Sequence, residues 1–365
     1  MSERPADRRR GRLVAPLLLA VAVLGLLAAQ LRTADGEDAR PVPRPWPRAE
    51  AAGARITLGV TTVELARNSY RRWRQADLRS VNAFEQAARH HAGIVMWFSD
   101  WARVPSPDVD QLRWVARRGS VPEITWEPWD SEKGLNVPQP AYRLRRIIAG
   151  DFDPLVRRWA RALSRYGQPV RLRFGHEMNG NWYPWNEAAN GNRHGEYVRA
   201  WRRIWRIFRE AGAFNVQWVW SPVALEVYAS QYPGDRYVDR VGLTGFVGGV
   251  QLRFQRYRPF TQLAGPAVRA LRRIAPGKPV EISEMGAAEQ GGDKAAWFTG
   301  MFAALERTPQ IDALVWFELD KGSDWRIRSS HAARRAFAAG LDGPAFRPRS
   351  RRARLPPPLD AQSPP

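Results

Sequence analysis

The stretch Val170-Arg-Leu-Arg-Phe-Gly-His-Glu-Met-Asn-Gly-Asn-Trp-Tyr-Pro-Trp185 changes character at Gly175. Up to Phe174 it has the character of a short strand. Directly after it come an imidazole, a carboxyl, two amides and two indoles. A strand that delivers chemistry at its C-terminal end is the signature of parallel α/β architecture. The same pattern recurs along the chain. Eight short runs have strand character: Ile56–Val60, Ile94–Trp97, Val121–Trp126, Val170–Phe174, Val216–Trp220, Val241–Gly245, Pro279–Ile282 and Ala313–Phe317. Several are nearly all apolar, as strands covered on both faces should be. Helical patterns separate them. In the clearest, Tyr197, Val198, Trp201, Ile204, Trp205 and Phe208 form one stripe, and Arg199, Arg202, Arg203, Arg206 and Arg209 lie away from it. Strand–helix alternation predicts a parallel sheet, and eight units predict closure into a (β/α)8 barrel. No Gly-rich phosphate fingerprint follows the first run, which excludes a dinucleotide-binding fold.

In such a barrel the active site forms where the strands end. Run two ends in Trp97-Phe-Ser-Asp-Trp101, and run three in Trp126-Glu127-Pro128-Trp129. Run five ends in Trp220-Ser221-Pro222, run seven in Ser283-Glu284-Met285-Gly286, and run eight in Trp316-Phe317-Glu318. Glu177 and Glu284 therefore fall at the ends of strands four and seven, on opposite sides of the mouth, with tryptophans around the rim. Flat aromatic rings suit the C–H faces of a sugar. A pair of carboxyl groups flanking a glycosidic bond is the usual machinery for its hydrolysis, one protonated and one ionised. Glu127 and Asp100 are expected to be rim or scaffold residues. Trp101, Trp126 and Trp129 are expected to pack, and Glu318 and Asp320 to be ordinary loop acids.

The segment Arg171–Trp185 closely resembles the acid/base motif of glycoside hydrolase family 26, whose members include β-mannanases and enzymes acting on mixed-linkage glucans or xylans. Glu281-Ile-Ser-Glu-Met-Gly286 resembles the family's nucleophile motif. Tyr232-Pro-Gly-Asp-Arg-Tyr-Val-Asp-Arg-Val-Gly242 resembles its approach to strand six. The likeness runs over roughly residues 55–330. It implies a retaining endo-hydrolase of a β-linked polysaccharide such as β-1,4-mannan, with Glu177 as acid/base and Glu284 as nucleophile. It also implies that Arg173 and His176 order the carboxylates and bind substrate. Trp182 and Trp316 would contact sugar, Trp316 as a platform at the end of strand eight. Trp97 and Phe246 complete the expected substrate contacts.

The chain departs from the family pattern at strand six. There the family commonly reads Gly-x-Asp-x-Tyr, with the tyrosine donating to the nucleophile; here Gly242-Leu-Thr-Gly-Phe246 puts Thr244 and Phe246 at those places. After strand five, Ser221-Pro222-Val223 replaces Ser-Pro-Asn. A nucleophile without that donor would be slow. The alternative reading is therefore a weakly active or non-hydrolytic glycan-binding protein attached to a membrane polysaccharide assembly system. Tyr228, Tyr232, Tyr257 and a bound water are the other candidate donors.

The 365-residue chain has no cysteine, so disulfides and thiolate metal sites are excluded. Its histidines show no metal-ligand spacing. Neither metal nor cofactor is expected, and the expected form is a monomer. The formal charge is +21, carried almost wholly by arginine. No nucleic-acid-binding signature accompanies it, so no nucleic-acid partner is expected; an anionic membrane or an acidic glycan remains compatible with the charge. Arg4, Arg8, Arg9, Arg10 and Arg12 precede an uncharged run, Leu13–Leu31, close to the ~20 residues that span a bilayer. Residues 1–31 are expected to be a signal peptide or signal anchor, which places the protein outside the cytoplasm. Residues 32–54 read as a Pro-rich linker, 55–343 as the catalytic barrel, and 344–365 as a disordered Pro/Arg-rich tail.

Overall fold

The computed structural model describes residues 55–68, 73–250 and 256–347. The expected signal or anchor at 1–31, the linker at 32–54 and most of the tail lie outside them. The tail begins later than the composition suggests. Ala345 and Phe346 are buried, and Ile56 N donates to Ala345 O at 2.9 Å.

Among the described residues, eight parallel strands close into a barrel. They are β1 (Thr57–Thr62), β2 (Ile94–Asp100), β3 (Val121–Glu127), β4 (Val170–Phe174), β5 (Val216–Trp220), β6 in two pieces (Arg240–Val241 and Thr244–Val247), β7 (Val280–Ala287) and β8 (Ile311–Glu318). Each pairs with its sequence neighbours. The ring closes where Thr57–Thr62 of β1 runs in register with Ala313–Glu318 of β8. A small antiparallel hairpin, β9 (Asp320–Lys321) with β10 (Ser323–Asp324), follows β8.

Side chains alternate along each strand. Ile94, Met96, Ala313 and Val315 face the barrel axis and form a small cluster of their own. Val95, Trp97, Leu314 and Trp316 face the other way and join the large core beneath the helices. That outer layer contains α1 (Val63–Asn68), α2 (Arg79–Ala88), α3 (Val109–Arg117), α4 (Leu144–Ala149), α5 (Asp153–Tyr166), α6 (Glu196–Glu210), α7 (Phe260–Leu263), α8 (Gly265–Ile274), α9 (Lys294–Glu306) and α10 (His331–Leu341). In α6 the expected stripe is buried at Tyr197, Trp201, Ile204 and Phe208, while Val198 and Trp205 lie half-buried at its edges. Ser330 starts α10 by accepting the Ala333 amide on its hydroxyl, and α5 stops at Gly167, whose φ is 70°.

The barrel interior is charged where branched apolar residues are the norm. Arg171 Nη1 donates to Glu281 Oε2 at 3.1 Å, and Arg240 Nε donates to the same oxygen at 3.1 Å. Arg240 also pairs with Asp312, and Ser283 Oγ donates to Glu281 Oε1 at 2.7 Å. Burial opposes ionisation of Glu281, but Arg171 and Arg240 outweigh it and lower its pKa. Glu123, 3.9 Å from Arg171, has its pKa driven well up by burial and by Glu281. Arg240→Met would leave Glu281 with one buried cation fewer. Breaking one partner of a buried pair costs about 3–5 kcal/mol, and urea titration at neutral pH should register a loss of that size.

Candidate active site

Inward alternation along β4 brings Arg171 and then Arg173 onto the barrel axis. Arg173 has no exposure to solvent. Its Nη1 donates to Glu284 Oε1 at 2.5 Å and to Thr125 Oγ1 at 3.0 Å, and its Nη2 donates to Thr244 Oγ1 at 2.6 Å. Burial opposes its charge, but the Glu284 carboxylate outweighs burial and raises its pKa. Glu284 therefore has a strong charge-assisted donor. None of Tyr228, Tyr232 and Tyr257 supplies one: Tyr228 Oη donates to Glu226, Tyr232 Oη donates to Asp235, and the buried Tyr257 Oη makes no hydrogen bond. The expected slowness, which rested on a nucleophile without a donor, thus loses its premise.

Glu284 reaches this position through an irregularity. Glu281 points inward, so on a regular strand Glu284, three residues later, would point outward. Between β7 and β8, however, Ile282 pairs with Leu314 and Met285 with Trp316, three residues against two. Ser283 N and Glu284 N both donate to Leu243 O, at 2.9 and 3.4 Å. One extra residue is thus inserted, a β-bulge that re-aims the carboxylate. The bulge presses on β6 at the point where β6 breaks. A Cβ on Gly242 would lie 2.1 Å from Ser283 Oγ, so the close approach requires glycine.

Glu177 follows β4 with φ 53°, in the left-handed region that non-glycine residues avoid. Several bonds hold it there. Glu177 N donates to Ser221 O at 2.8 Å, Gly180 N donates to Glu177 O at 3.0 Å, and Asn186 Nδ2 donates to the same carbonyl at 2.9 Å. Its carboxyl Oε2 accepts Trp182 Nε1 at 2.9 Å. Burial, then the nearby Glu284 charge, push the Glu177 carboxyl up to about 7, while Arg173, the Trp182 indole and the Thr244 hydroxyl restrain the rise. Thr244 therefore serves both Arg173 and Glu177. The site holds one carboxylate clamped by a guanidinium and one carboxyl that keeps its proton to near neutrality.

His176 is buried against Tyr183 and Trp185, with ring centroids 4.9 and 5.7 Å away. Burial and Arg173 hold its pKa well below the ordinary histidine value, so the ring is neutral. Its Nδ1 lies 3.9 Å from Glu127 Oε1. Glu127 itself is buried, and desolvation pushes it up to about 8 although Trp129 Nε1 donates to its Oε2 at 3.2 Å. Glu127, expected to be scaffold, thus lies beside His176 and within electrostatic reach of Glu284, and its inward parity with Glu123 and Thr125 is the signal that marks it.

Two expected sugar contacts are not on the cleft. Trp316 has no exposure; it packs on Phe298 and Phe337 of the helical layer and donates its indole N–H to Trp325 O at 3.1 Å. Trp97 packs edge-on against Trp73 at 5.4 Å, also outside the barrel. Both have the outward parity of their strands, and their neighbours Phe98 and Phe317 have the inward one. Trp101 and Trp126 pack as expected. Phe246 is half-buried against Phe317 and Trp325, at 5.0 and 5.2 Å. Trp182 is half-buried beside Glu177.

Glu318 is less ordinary than a loop acid. It is buried, its Oε2 accepts Ile327 N at 2.8 Å, and desolvation pushes it up to about 7 from 4.5. A carboxyl raised on folding stabilises the native state most below its unfolded pKa and loses that contribution as pH rises through its folded value. Glu318→Gln should therefore gain stability relative to the parent between pH 5 and pH 8, by on the order of 3 kcal/mol. Paired denaturant titrations at the two pH values measure it, and a pH-independent difference would contradict the assignment.

Residues 74–309 match the model of glycosyl hydrolase family 26. Endoglucanase H of Acetivibrio thermocellus is 34% identical over 282 residues, 73% of this chain and 29% of that protein. A mannan endo-1,4-β-mannosidase of Caldalkalibacillus mannanilyticus is 32% identical over 161 residues, 42% of this chain and 29% of that protein. The chain thus spans less than a third of the length of either relative. Among solved structures, a family 26 β-mannanase from Bacteroides ovatus superposes with a TM-score of 0.60 at 17% identity, over 81% of this chain and 90% of that one. A modular endo-β-1,4-mannanase from Cellulomonas fimi gives 0.58 at 18% identity, over 80% and 71%. These two establish the shared barrel, and the family match over most of the described residues goes further: the chain belongs to glycosyl hydrolase family 26.

Proposed function

We propose that the protein is an endo-acting, retaining glycoside hydrolase of a β-linked polysaccharide, with Glu177 as acid/base and Glu284 as nucleophile. The observation that carries this reading is the asymmetry of the pair: Glu284 is bound by buried Arg173, and Glu177 is raised to about 7. The Glu284 carboxylate attacks the anomeric carbon while Glu177 gives its proton to the departing glycosidic oxygen. Glu284 is then esterified to the sugar, and Glu177 is ionised. In the second step Glu177 takes a proton from water, the water oxygen attacks the anomeric carbon, and Glu284 leaves as carboxylate. The relative matching most of the chain is named an endoglucanase, and a shorter match is named a mannan endo-1,4-β-mannosidase. β-Glucans and β-mannans are therefore the substrates to assay first, by reducing-end release.

Glu284→Ala should abolish turnover on every substrate. Glu177→Ala should cost about 10²–10⁴-fold on polysaccharide and much less on an aryl glycoside with a good leaving group. Equal losses on both would contradict the acid/base role. Activity should fall as pH rises through about 7, where Glu177 loses its proton. Trp182→Phe removes a donor that favours the ionised form, so the alkaline limb of kcat/KM should move to higher pH. An unmoved or lowered limb would assign that ionisation to another group.

The barrel is further proposed to work outside the cytoplasmic membrane, tethered or exported through Leu13–Leu31, on the strength of the arginines before that run. Fractionation of the full-length protein tests this. Recovery from the cytosol with an intact N-terminus would refute it.

A further inference from the structure

The barrel has two chemically different ends. At the end where the strands finish, the carboxyl groups of Asp100, Glu127, Glu177, Glu284 and Glu318 gather. At the end where the strands begin, the helices finish, and their last turns and following loops are basic. Arg89, Arg117, Arg165, Arg272 and Arg307 stand exposed there, at or just past the ends of α2, α3, α5, α8 and α9, and Arg206 is exposed one turn before the end of α6. Basic residues at helix C-termini are favoured by the helix dipole, which accounts for some of them. The exposed acids on the same face, such as Glu210, Glu306 and Asp342, are fewer, and Glu210 is already paired with Arg157. An aromatic side chain belongs to the face as well: Phe214 is 39% exposed, with the Arg209 guanidinium 4.3 Å from its ring centroid. A groove of about 500 Å³ runs along α5 from Asp153 and Pro154 past Arg157, Arg158 and Arg161 to Arg165, its one acid, Asp153, paired with Arg157 and Arg203.

Both ends of the described chain are also on this face. Arg55 opens β1 there, and the chain end is fastened beside it by the Ile56–Ala345 bond. Residues 1–54, with the uncharged Leu13–Leu31 run, lead into this face. Residues 348–365, with Arg349, Arg351, Arg352 and Arg354, continue from it.

We infer that the strand-start face of the barrel docks on an anionic phospholipid surface, headgroup phosphates against its arginines, and so presents the catalytic mouth away from the membrane. Arginine with an accompanying exposed aromatic is the side-chain chemistry suited to a charged lipid interface. Lipid is favoured over a soluble polyanion because the chain enters this face from an apolar run of membrane-spanning length. The inference rests on the proposed tethering, and the experiment separates the two.

The chain has no cysteine, so single labels can be placed cleanly. Gly277→Cys labels the strand-start face at a position with open space around it, and Leu225→Cys labels an exposed site in the loop after β5. Each full-length variant is reconstituted into vesicles of phosphatidylcholine alone or with phosphatidylglycerol. Energy transfer to a headgroup dye is measured on the vesicle-bound fraction. Transfer should be greater from position 277 than from 225 when phosphatidylglycerol is present. The difference should collapse in about 1 M salt, where the screening length falls to about 3 Å. It should also collapse in the triple variant Arg165→Gln, Arg206→Gln, Arg272→Gln, with turnover of soluble substrate unchanged. Equal transfer from the two labels, greater transfer from 225, or a difference indifferent to phosphatidylglycerol, salt and the triple variant would overturn the docking inference. So would loss of the difference when a soluble acidic polysaccharide is added at low salt without a matching change in ionic strength, which would make the polyanion the better partner. Failure of the chain to stay with vesicles of either composition would refute tethering, and the docking inference with it.

Discussion

One guanidinium organises the end of this barrel where the strands finish. Arg173, wholly buried, reaches from β4 to Thr125 on β3, Thr244 on β6 and Glu284 on β7. Taking a cation out of water costs several kcal/mol, and only good geometry with enough partners offsets it. The three strands that supply those partners are therefore held at fixed distances from the fourth. The electrostatics of the site follow. The carboxylate that meets Arg173 has a cation to stabilise its charge. The carboxyl that must sit near that carboxylate has a reason to stay neutral. The neighbouring imidazole is discouraged from taking up a proton. Arg173 thus binds the Glu284 carboxylate, restrains the rise that burial and Glu284 impose on Glu177, and opposes a proton on His176.

Beneath Arg173, the linked Arg171, Glu281, Arg240 and Asp312 extend the same logic down the axis. Hydrogen bonds between charged groups are directional, whereas branched aliphatic packing tolerates small slips. A charged interior thus ties β4, β6, β7 and β8 to one register. Ser283, bonded to Glu281, connects that register to the bulge that aims Glu284.

Much of this was legible in the sequence, and the limits are physical. The eight runs correspond to the eight strands because strands covered on both faces must be apolar. Glu177 and Glu284 end their strands because strand polarity puts function there. Trp97 and Trp316 were misread although strand alternation already separated them from Phe98 and Phe317; the size and chemistry of tryptophan outweighed a parity that could have been counted. The bulge is a different case. Its extra residue is visible only once β7 is laid against β8, and counting along β7 from Glu281 would have turned Glu284 outward. The inward parity of Glu127 could have been counted too, whereas Glu318 is buried only because the chain after β8 turns back and lays Ile327 N on its carboxyl. The donor that serves Glu284 was among the residues named for the site, but its bond is made across the barrel, where sequence spacing says nothing about distance.

The backbone at Glu177 carries a record of its own. A glycine would occupy φ 53° without steric cost, and asparagine at little cost. A long, branched-free but Cβ-bearing acid is a poor tenant by any criterion of folding, and its burial as a near-neutral acid adds to the burden. The φ of 53° and the raised carboxyl are therefore two separate costs carried by one side chain, and the bonds with Ser221, Gly180 and Asn186 are what hold the backbone against the first of them.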